Sequence, residues 1–130
     1  MTGNKRKSGS AILADILADM NTAGEFPISI ITDKHGFPIA SAAVPGQDPD
    51  TKSAVVALVQ KTAAQAQSQL GMAQTDEISL YDAQGQRLIC RPFVANGYDM
   101  ILAVMILNRR QSYRRLTNQA IRAIREAWRF

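Results

Sequence analysis

The chain has 130 residues, 46% of them hydrophobic, with one cysteine, one histidine and a formal net charge of +4. That is enough for one domain with its own apolar core and too little for two. Cys90, which has no CxxC partner, and the solitary His35 exclude a disulfide scaffold and a cysteine–histidine zinc site, and they fit a reducing compartment.

Residues 1 to 9 are polar, basic and contain Gly and Ser, which predicts a flexible basic tail ahead of a single domain over 10 to 130. Lys5-Arg6-Lys7 before an apolar run imitates a signal peptide, but Asp15 and Asp19 interrupt that run. No window approaches the length of a membrane span, so a cytoplasmic location is expected.

Ser10 is the expected cap of a first helix whose Ile12, Leu13, Ile16, Leu17 and Met20 recur at helical spacing, with Gly24 as its end. "PISIITD" and "FPIASAA" alternate like strands around Asp33-Lys34-His35-Gly36, which predicts a β-hairpin. A Pro/Gly/Asp loop then leads to a second helix from about Thr51 to Leu70, capped by Asp50 or Thr51 and stopped at Gly71.

The apolar periodicity of that helix assigns its core face to Val55, Leu58, Val59, Thr62, Ala66 and Leu70. A second stripe, Ala54, Ala57, Lys61, Ala64 and Ser68, is mostly small and would let another helix approach closely.

Three strands are expected over Glu77 to Ala83, Gln86 to Val94 and Tyr98 to Leu107. The last is apolar on both faces and suits the middle of a sheet, whereas Pro92 should mark a bulge or strand end. A third helix is expected from a cap at Asn108, with Tyr113, Leu116, Ala120, Ile121, Ile124 and Trp128 on its apolar side. The fold class is α+β, in the order α-β-β-α-β-β-β-α. One five-stranded antiparallel sheet should carry the first and third helices on one face and the second on the other.

Chemistry is sparse. His35 has no serine, cysteine or second histidine nearby, so it reads as a turn residue, and Cys90 in an apolar strand reads as a core thiol. Neither a Walker loop nor a G-x-G-x-x-G motif occurs. The one adjacent acidic pair, Asp76-Glu77, precedes a strand and does not form a facing carboxylate pair. No catalytic, cofactor or metal residue is expected.

Charge is gathered at the C-terminal end. Residues 108 to 130 carry seven arginines and one glutamate, while residues 1 to 107 hold eight basic and ten acidic residues. Arg114, Arg115, Arg122, Arg125 and Arg129 fall within about 100° on a helical wheel and predict a basic face. Arg109 and Arg110 would occupy the first turn, against the helix dipole. Such a face suits solvent, an acidic protein or an anionic membrane, with nucleic acid ranked behind them for want of exposed interleaved aromatics.

"ISIITDKHGFPIASA", the alanine-rich second helix, "LYDAQGQRLICRPF", "DMILAVMI" and the closing amphipathic helix stand in the order of the roadblock (dynein light chain) family, which this chain resembles over residues 11 to 128. The resemblance implies dimerisation through side-by-side second helices and edge-to-edge third strands, here Ala54, Ala57, Lys61, Ala64 and Ser68 with Ser79 and Tyr81. It also implies a small Ras-like GTPase as partner, bound by the outward side of the paired helices, here Ser53, Val56, Gln60 and Gln67. The expected function is a non-enzymatic homodimeric adaptor, or a heterodimer with a paralogue, that alters the GTPase's nucleotide cycle or location. The alternatives are a small-molecule-sensing or scaffold domain of the profilin or longin type, and basic-helix binding to nucleic acid or an anionic membrane.

Overall fold

The computed structural model describes residues 8–108 and 110–129. Helix α1 spans Gly9–Gly24, strands β1 and β2 Ile28–Asp33 and Pro38–Ala43, helix α2 Pro49–Leu70, strands β3, β4 and β5 Ile78–Tyr81, Arg87–Ala95 and Tyr98–Ile106, and helix α3 Arg114–Ala127. The α+β element order matches the sequence expectation, and the strands form one antiparallel sheet in the order β2-β1-β5-β4-β3.

Strand β5 is central because both its faces are apolar: Met100 to Val104 and Ile106 are all buried. Its side chains alternate between two cores. Met100, Leu102, Val104 and Ile106 join Leu13, Leu17 and Met20 of α1 and Ala120, Ile121 and Ile124 of α3. Ile101 and Ala103 turn the other way, to Val56 and Val59 of α2. The first and third helices therefore share one face of the sheet and the second covers the other.

Element ends differ from the sequence reading where side chains compete for backbone amides. Ser8, not Ser10, caps α1, its Oγ accepting from the Ala11 amide at 3.1 Å. Of the tail expected over residues 1 to 9, Ser8 and Gly9 thus belong to the helix start, and residues 1 to 7 lie outside the described residues. The left-handed residue after α1 is Glu25 at φ 57°, with Gly24 still helical and buried against Phe26 and Leu116.

Asp48 caps α2 by accepting from the Asp50 amide and the Thr51 hydroxyl, and Pro49 stands in the first turn, where its missing N–H costs nothing. Gly71 stops the helix as expected, at φ 67°.

Strand β3 is shorter than expected, four residues, because the Asp82 carboxylate accepts the Gln84 and Gln86 amides and turns the chain early. Pro92 stands at neither a bulge nor an end of β4: it pairs with Ile101 on the β5 side, while β3 pairs with β4 only as far as Cys90. Beyond Cys90 the outer side of β4 has no neighbouring strand among the described residues, so a residue without an N–H leaves no ladder bond unmade there.

The largest boundary correction is at α3, which begins at Arg114. Asn108 closes a turn instead, its Oδ1 accepting the Arg110 amide at 3.0 Å and its carbonyl the Gln111 amide at 3.0 Å. Arg110 therefore precedes the helix, and Arg109 lies outside the described residues. The first-turn cations that face the helix dipole are Arg114 and Arg115.

Candidate interaction surface

The hairpin turn sets one side of α2. Asp33 Oδ1 accepts the amides of His35 at 2.8 Å and Phe37 at 3.0 Å, which bends the chain so that Gly36 takes φ 86°. Gly36 lies against α2: a Cβ there would collide with Ala57 Cβ and stand 2.9 Å from Ala57 Cα. His35 is exposed on this turn.

Against the sheet, α2 presents a different stripe from the one its periodicity suggested. Ser53, Val56 and Val59 are buried, while Val55, Leu58 and Leu70 are exposed, Leu58 at 65% and Leu70 at 72%. The helix is turned by about 100° from the expected orientation. It carries two apolar stripes, and periodicity alone cannot say which one meets the chain's own sheet. Ser53 is tolerated in the core because its Oγ donates to the Pro49 carbonyl at 2.9 Å.

The residues expected to receive a partner are thus rearranged. Ser53 and Val56 face the sheet and are inaccessible, Gln60 is half-buried, and Gln67 is half-buried with its Nε2 donating to Thr75 Oγ1. The stripe expected to pair helices, Ala54, Lys61, Ala64 and Ser68, is exposed, with Ala57 half-buried under the hairpin turn. A shallow depression of about 580 Å³ lies there, lined by Lys34, His35, Ala57, Leu58, Gln60, Lys61 and Ala64.

On the opposite flank of α2, toward β3, lies an apolar groove of about 470 Å³ lined by Leu58, Val59, Thr62, Ala63, Ala66, Met72, Thr75, Glu77, Ile78 and Leu80. Leu58, Met72 and Leu80 leave most or about half of their surface in solvent. A contiguous apolar strip beside a sheet edge is a candidate interaction surface. Sequence reasoning missed it because it placed Leu58, Thr62 and Ala66 in the core. The available signal was Leu80 and Tyr81 next to each other on a four-residue strand, where at least one apolar side chain had to face outward.

Among the described residues strand β3 has one strand neighbour, and a polar cluster holds it to the start of α3. Tyr113 Oη donates to Glu77 Oε2 at 2.5 Å, and Arg114 Nη1 lies 2.8 Å from Glu77 Oε1 and 3.3 Å from Asp76 Oδ2. The Arg87 guanidinium stacks 5.4 Å from the Tyr81 ring centre and 5.1 Å from that of Tyr113, while Nη1 donates to Tyr81 Oη and Nη2 to the Gln111 carbonyl. Ser79 is exposed and donates to Glu77 Oε2 at 3.1 Å. The Asp76-Glu77 pair that looked idle in the sequence therefore offsets the cation at the start of α3.

Burial pushes the Glu77 carboxyl up, but hydrogen bonds from Tyr113, Arg114 and Ser79 outweigh it and leave the group below the usual carboxylate range. A depressed folded-state pKa contributes stability that is present above the unfolded value, about 4.3, and is lost as pH falls through the folded value. Glu77→Gln is expected to cost roughly 1–2 kcal/mol near neutral pH and to flatten the acid limb of stability below about pH 4, read by urea melts across pH.

Cys90 is buried in the α2-side core with Val56, Val59, Ile101 and Ala103, and burial pushes its thiol up to about 12. A thiol-specific reagent at neutral pH should leave the folded chain unlabelled and label one site on denaturation. Arg91, on the other face, is also buried and donates from Nη1 to Thr117 Oγ1 at 2.9 Å and Asn118 Oδ1 at 2.6 Å.

Of the five arginines expected on the basic face, Arg115 and Arg122 are exposed and extend into solvent. Arg114 is engaged by Glu77 and Asp76, Arg125 donates from Nε to the Val94 carbonyl at 2.9 Å, and Arg129 from Nε to the Glu126 carbonyl at 2.7 Å. Among the described residues no helix is long and apolar enough to cross a membrane.

The sequence matches no protein-family model and no curated protein sequence. Solved structures match it in shape. The gliding protein MglB from Thermus thermophilus is 16% identical, with 95% of this chain and 93% of that one covered at a TM-score of 0.71. An MglB in a tetrameric arrangement is also 16% identical, with 95% and 92% covered at 0.72. A Roadblock/LC7 domain from Streptomyces avermitilis is 10% identical, with 87% and 92% covered at 0.70. At these identities the likeness is one of fold, and it agrees with the element order, the β2-β1-β5-β4-β3 sheet and the placing of three helices on two faces. The chain has the roadblock fold, the architecture of MglB and of the Roadblock/LC7 domain.

Proposed function

We propose that this protein is a non-enzymatic cytoplasmic adaptor that dimerises through α2 and β3, binds a small Ras-like GTPase, and modulates its nucleotide cycle or location. The observation that carries the reading is the apolar groove between Leu58, Thr62 and Ala66 of α2 and Leu80 of β3. It lies on the two elements through which the roadblock resemblance implies dimerisation. A copy of the same groove, related by a two-fold axis, would cover Leu58, Met72 and Leu80 and continue the sheet at β3, whose outer edge is otherwise a liability. An MglB solved in a tetrameric arrangement lends support to self-association on this fold.

With the groove given to the dimer, the stripe Ala54, Ala57, Lys61 and Ala64 and the hairpin turn remain for the partner. These residues move from the dimer face of the sequence reading to the partner face, and Ser53 and Val56 leave it. Lys34, His35 and Lys61 around the depression suit an acidic partner surface. Any effect on hydrolysis would arise by ordering the partner's own switch loops.

The test is to immobilise the full chain, load source-cell lysate with GTP or GDP, and identify retained proteins by mass spectrometry. A Ras-like GTPase retained with one nucleotide, and lost on Lys61→Glu, is the expected result. Its absence under both conditions removes the GTPase reading while leaving the dimer open to light scattering.

A further inference from the structure

The outer flank of α3 serves neither the dimer groove nor the partner face. On it Arg115 and Arg122 make no hydrogen bond or ion pair with another described residue, and Glu126 is the one acid in the helix. Arg129 follows the end of the helix, exposed and with its Nε donating to the Glu126 carbonyl. Helix α1 packs along the other side of α3, through Ile16 and Met20 against Leu116 and Ala120.

Below this ridge lies an open sheet edge. Strand β3 reaches only to the partner of Cys90, so among the described residues the outer edge of β4 runs on without a strand beside it, and the end of the β4–β5 hairpin leaves Val94 43% and Tyr98 53% exposed. The Tyr98 ring meets Trp128 edge-on at 6.0 Å, which brings two aromatic side chains to the C-terminal end of the arginine ridge.

An added peptide strand does not suit this edge. Pro92 has no N–H to offer, and the Val94 carbonyl already accepts from Arg125. The corner must then be read by side chains. Because α1 lies beside it, α3 presents a broad shoulder and not a free helix that could enter a nucleic-acid groove.

We propose that this corner rests on an anionic phospholipid surface, with α3 parallel to the membrane plane, Arg115, Arg122 and Arg129 reaching headgroup phosphates, and Tyr98 beside Trp128 at headgroup depth. Guanidinium forks pair with phosphate oxygens in two parallel hydrogen bonds, and amphipathic rings settle at the interface. Such a surface is peripheral and reversible, its strength set by the number of free cations and by ionic strength. The inference does not depend on the GTPase reading; if both hold, the adaptor brings its partner to the membrane.

The test is co-sedimentation of the full chain with vesicles of phosphatidylcholine alone or with added phosphatidylserine. Lys5, Arg6 and Lys7 stay in every variant, so that differences belong to the ridge. The wild type should bind only the phosphatidylserine vesicles and release on added salt. Arg115→Gln with Arg122→Gln should weaken binding roughly 30-fold, and Tyr98→Ser a further few-fold, with unchanged thermal melts. Equal binding to both vesicle types, no binding to either, or a double variant that binds like the wild type overturns the proposal. So does duplex DNA or an acidic polypeptide that displaces the protein from vesicles and is itself released by the double variant, because the ridge then belongs to that ligand.

Discussion

Leu58→Glu combined with Leu80→Glu is expected to convert the proposed dimer to monomer, whereas Lys61→Glu combined with Ala64→Glu, at two exposed positions, leaves it assembled. The first pair places carboxylates in the groove between α2 and β3, and the second places them on the flank beside the hairpin turn. Each charge buried without a partner costs several kcal/mol, so two per protomer should raise the dimer dissociation constant by a factor of about 100 or more. Light scattering across a concentration series reads the difference. Leu58 and Leu80 are exposed within one chain, so the monomer should keep its melting temperature at high dilution. The reverse pattern would return the dimer to the small-residue stripe Ala54, Ala57, Lys61, Ala64 and Ser68 that the sequence suggested.

Gly36→Ala should be among the most destabilising single-methyl changes available. Gly36 and Gly46 have similar positive φ, 86° and 93°, so alanine is strained by roughly 1–2 kcal/mol at either. A Cβ at Gly46 meets nothing within 4 Å, whereas one at Gly36 strikes Ala57 and forces the turn away from α2. The expected losses are about 1–2 kcal/mol for Gly46→Ala and about 3 kcal/mol or more for Gly36→Ala. Chemical denaturation of both variants, with the double variant Gly36→Ala/Ala57→Gly, separates the two contributions. The double variant should recover only the part of the collision made with the Ala57 methyl, because the new Cβ still stands 2.9 Å from the Cα of residue 57; it keeps the φ strain and adds the cost of glycine in a helix, about 1 kcal/mol. Equal losses at Gly36 and Gly46 would mean that contact with α2 does not matter.

Both predictions concern contacts between elements, and these are what the sequence left open. The elements were legible because their signals are local. Alternating apolar residues over "ISIITD", a turn built from Asp33 and Gly36, a helix stop at Gly71 and a doubly apolar β5 each follow from the backbone preferences of a few adjacent residues. From these came the number, order and type of elements, the central place of β5, the division of helices between two faces and the buried state of Cys90. Boundaries were less secure where two capping residues competed, as Ser8 with Ser10 and Asp48 with Asp50, and where Asn108 closes a turn ahead of an α3 whose N-cap, Tyr113, makes no side-chain cap bond.

The tertiary structure decided what faces outward. On α2 the sequence offers two apolar stripes about 100° apart, and Val56 and Val55 are indistinguishable until the helix is laid on Ile101 and Ala103 of β5. The polar cluster was likewise invisible, because Glu77, Arg87 and Tyr113 are far apart in the chain and meet only when β3 and β4 pair beneath the start of α3. The expected basic face is a row of arginines at helical spacing, of which Arg114, Arg115, Arg122 and Arg125 lie in α3 and Arg129 beyond its end. Which of them are free, Arg115 and Arg122, depended on where Asp76, Glu77 and the Val94 carbonyl come to lie. Sequence by itself determined each element and its apolar pattern, since those follow from neighbouring residues. Only the packed structure chose which apolar surface the fold buries and which it leaves exposed, because that choice is made by contacts between residues distant in the chain.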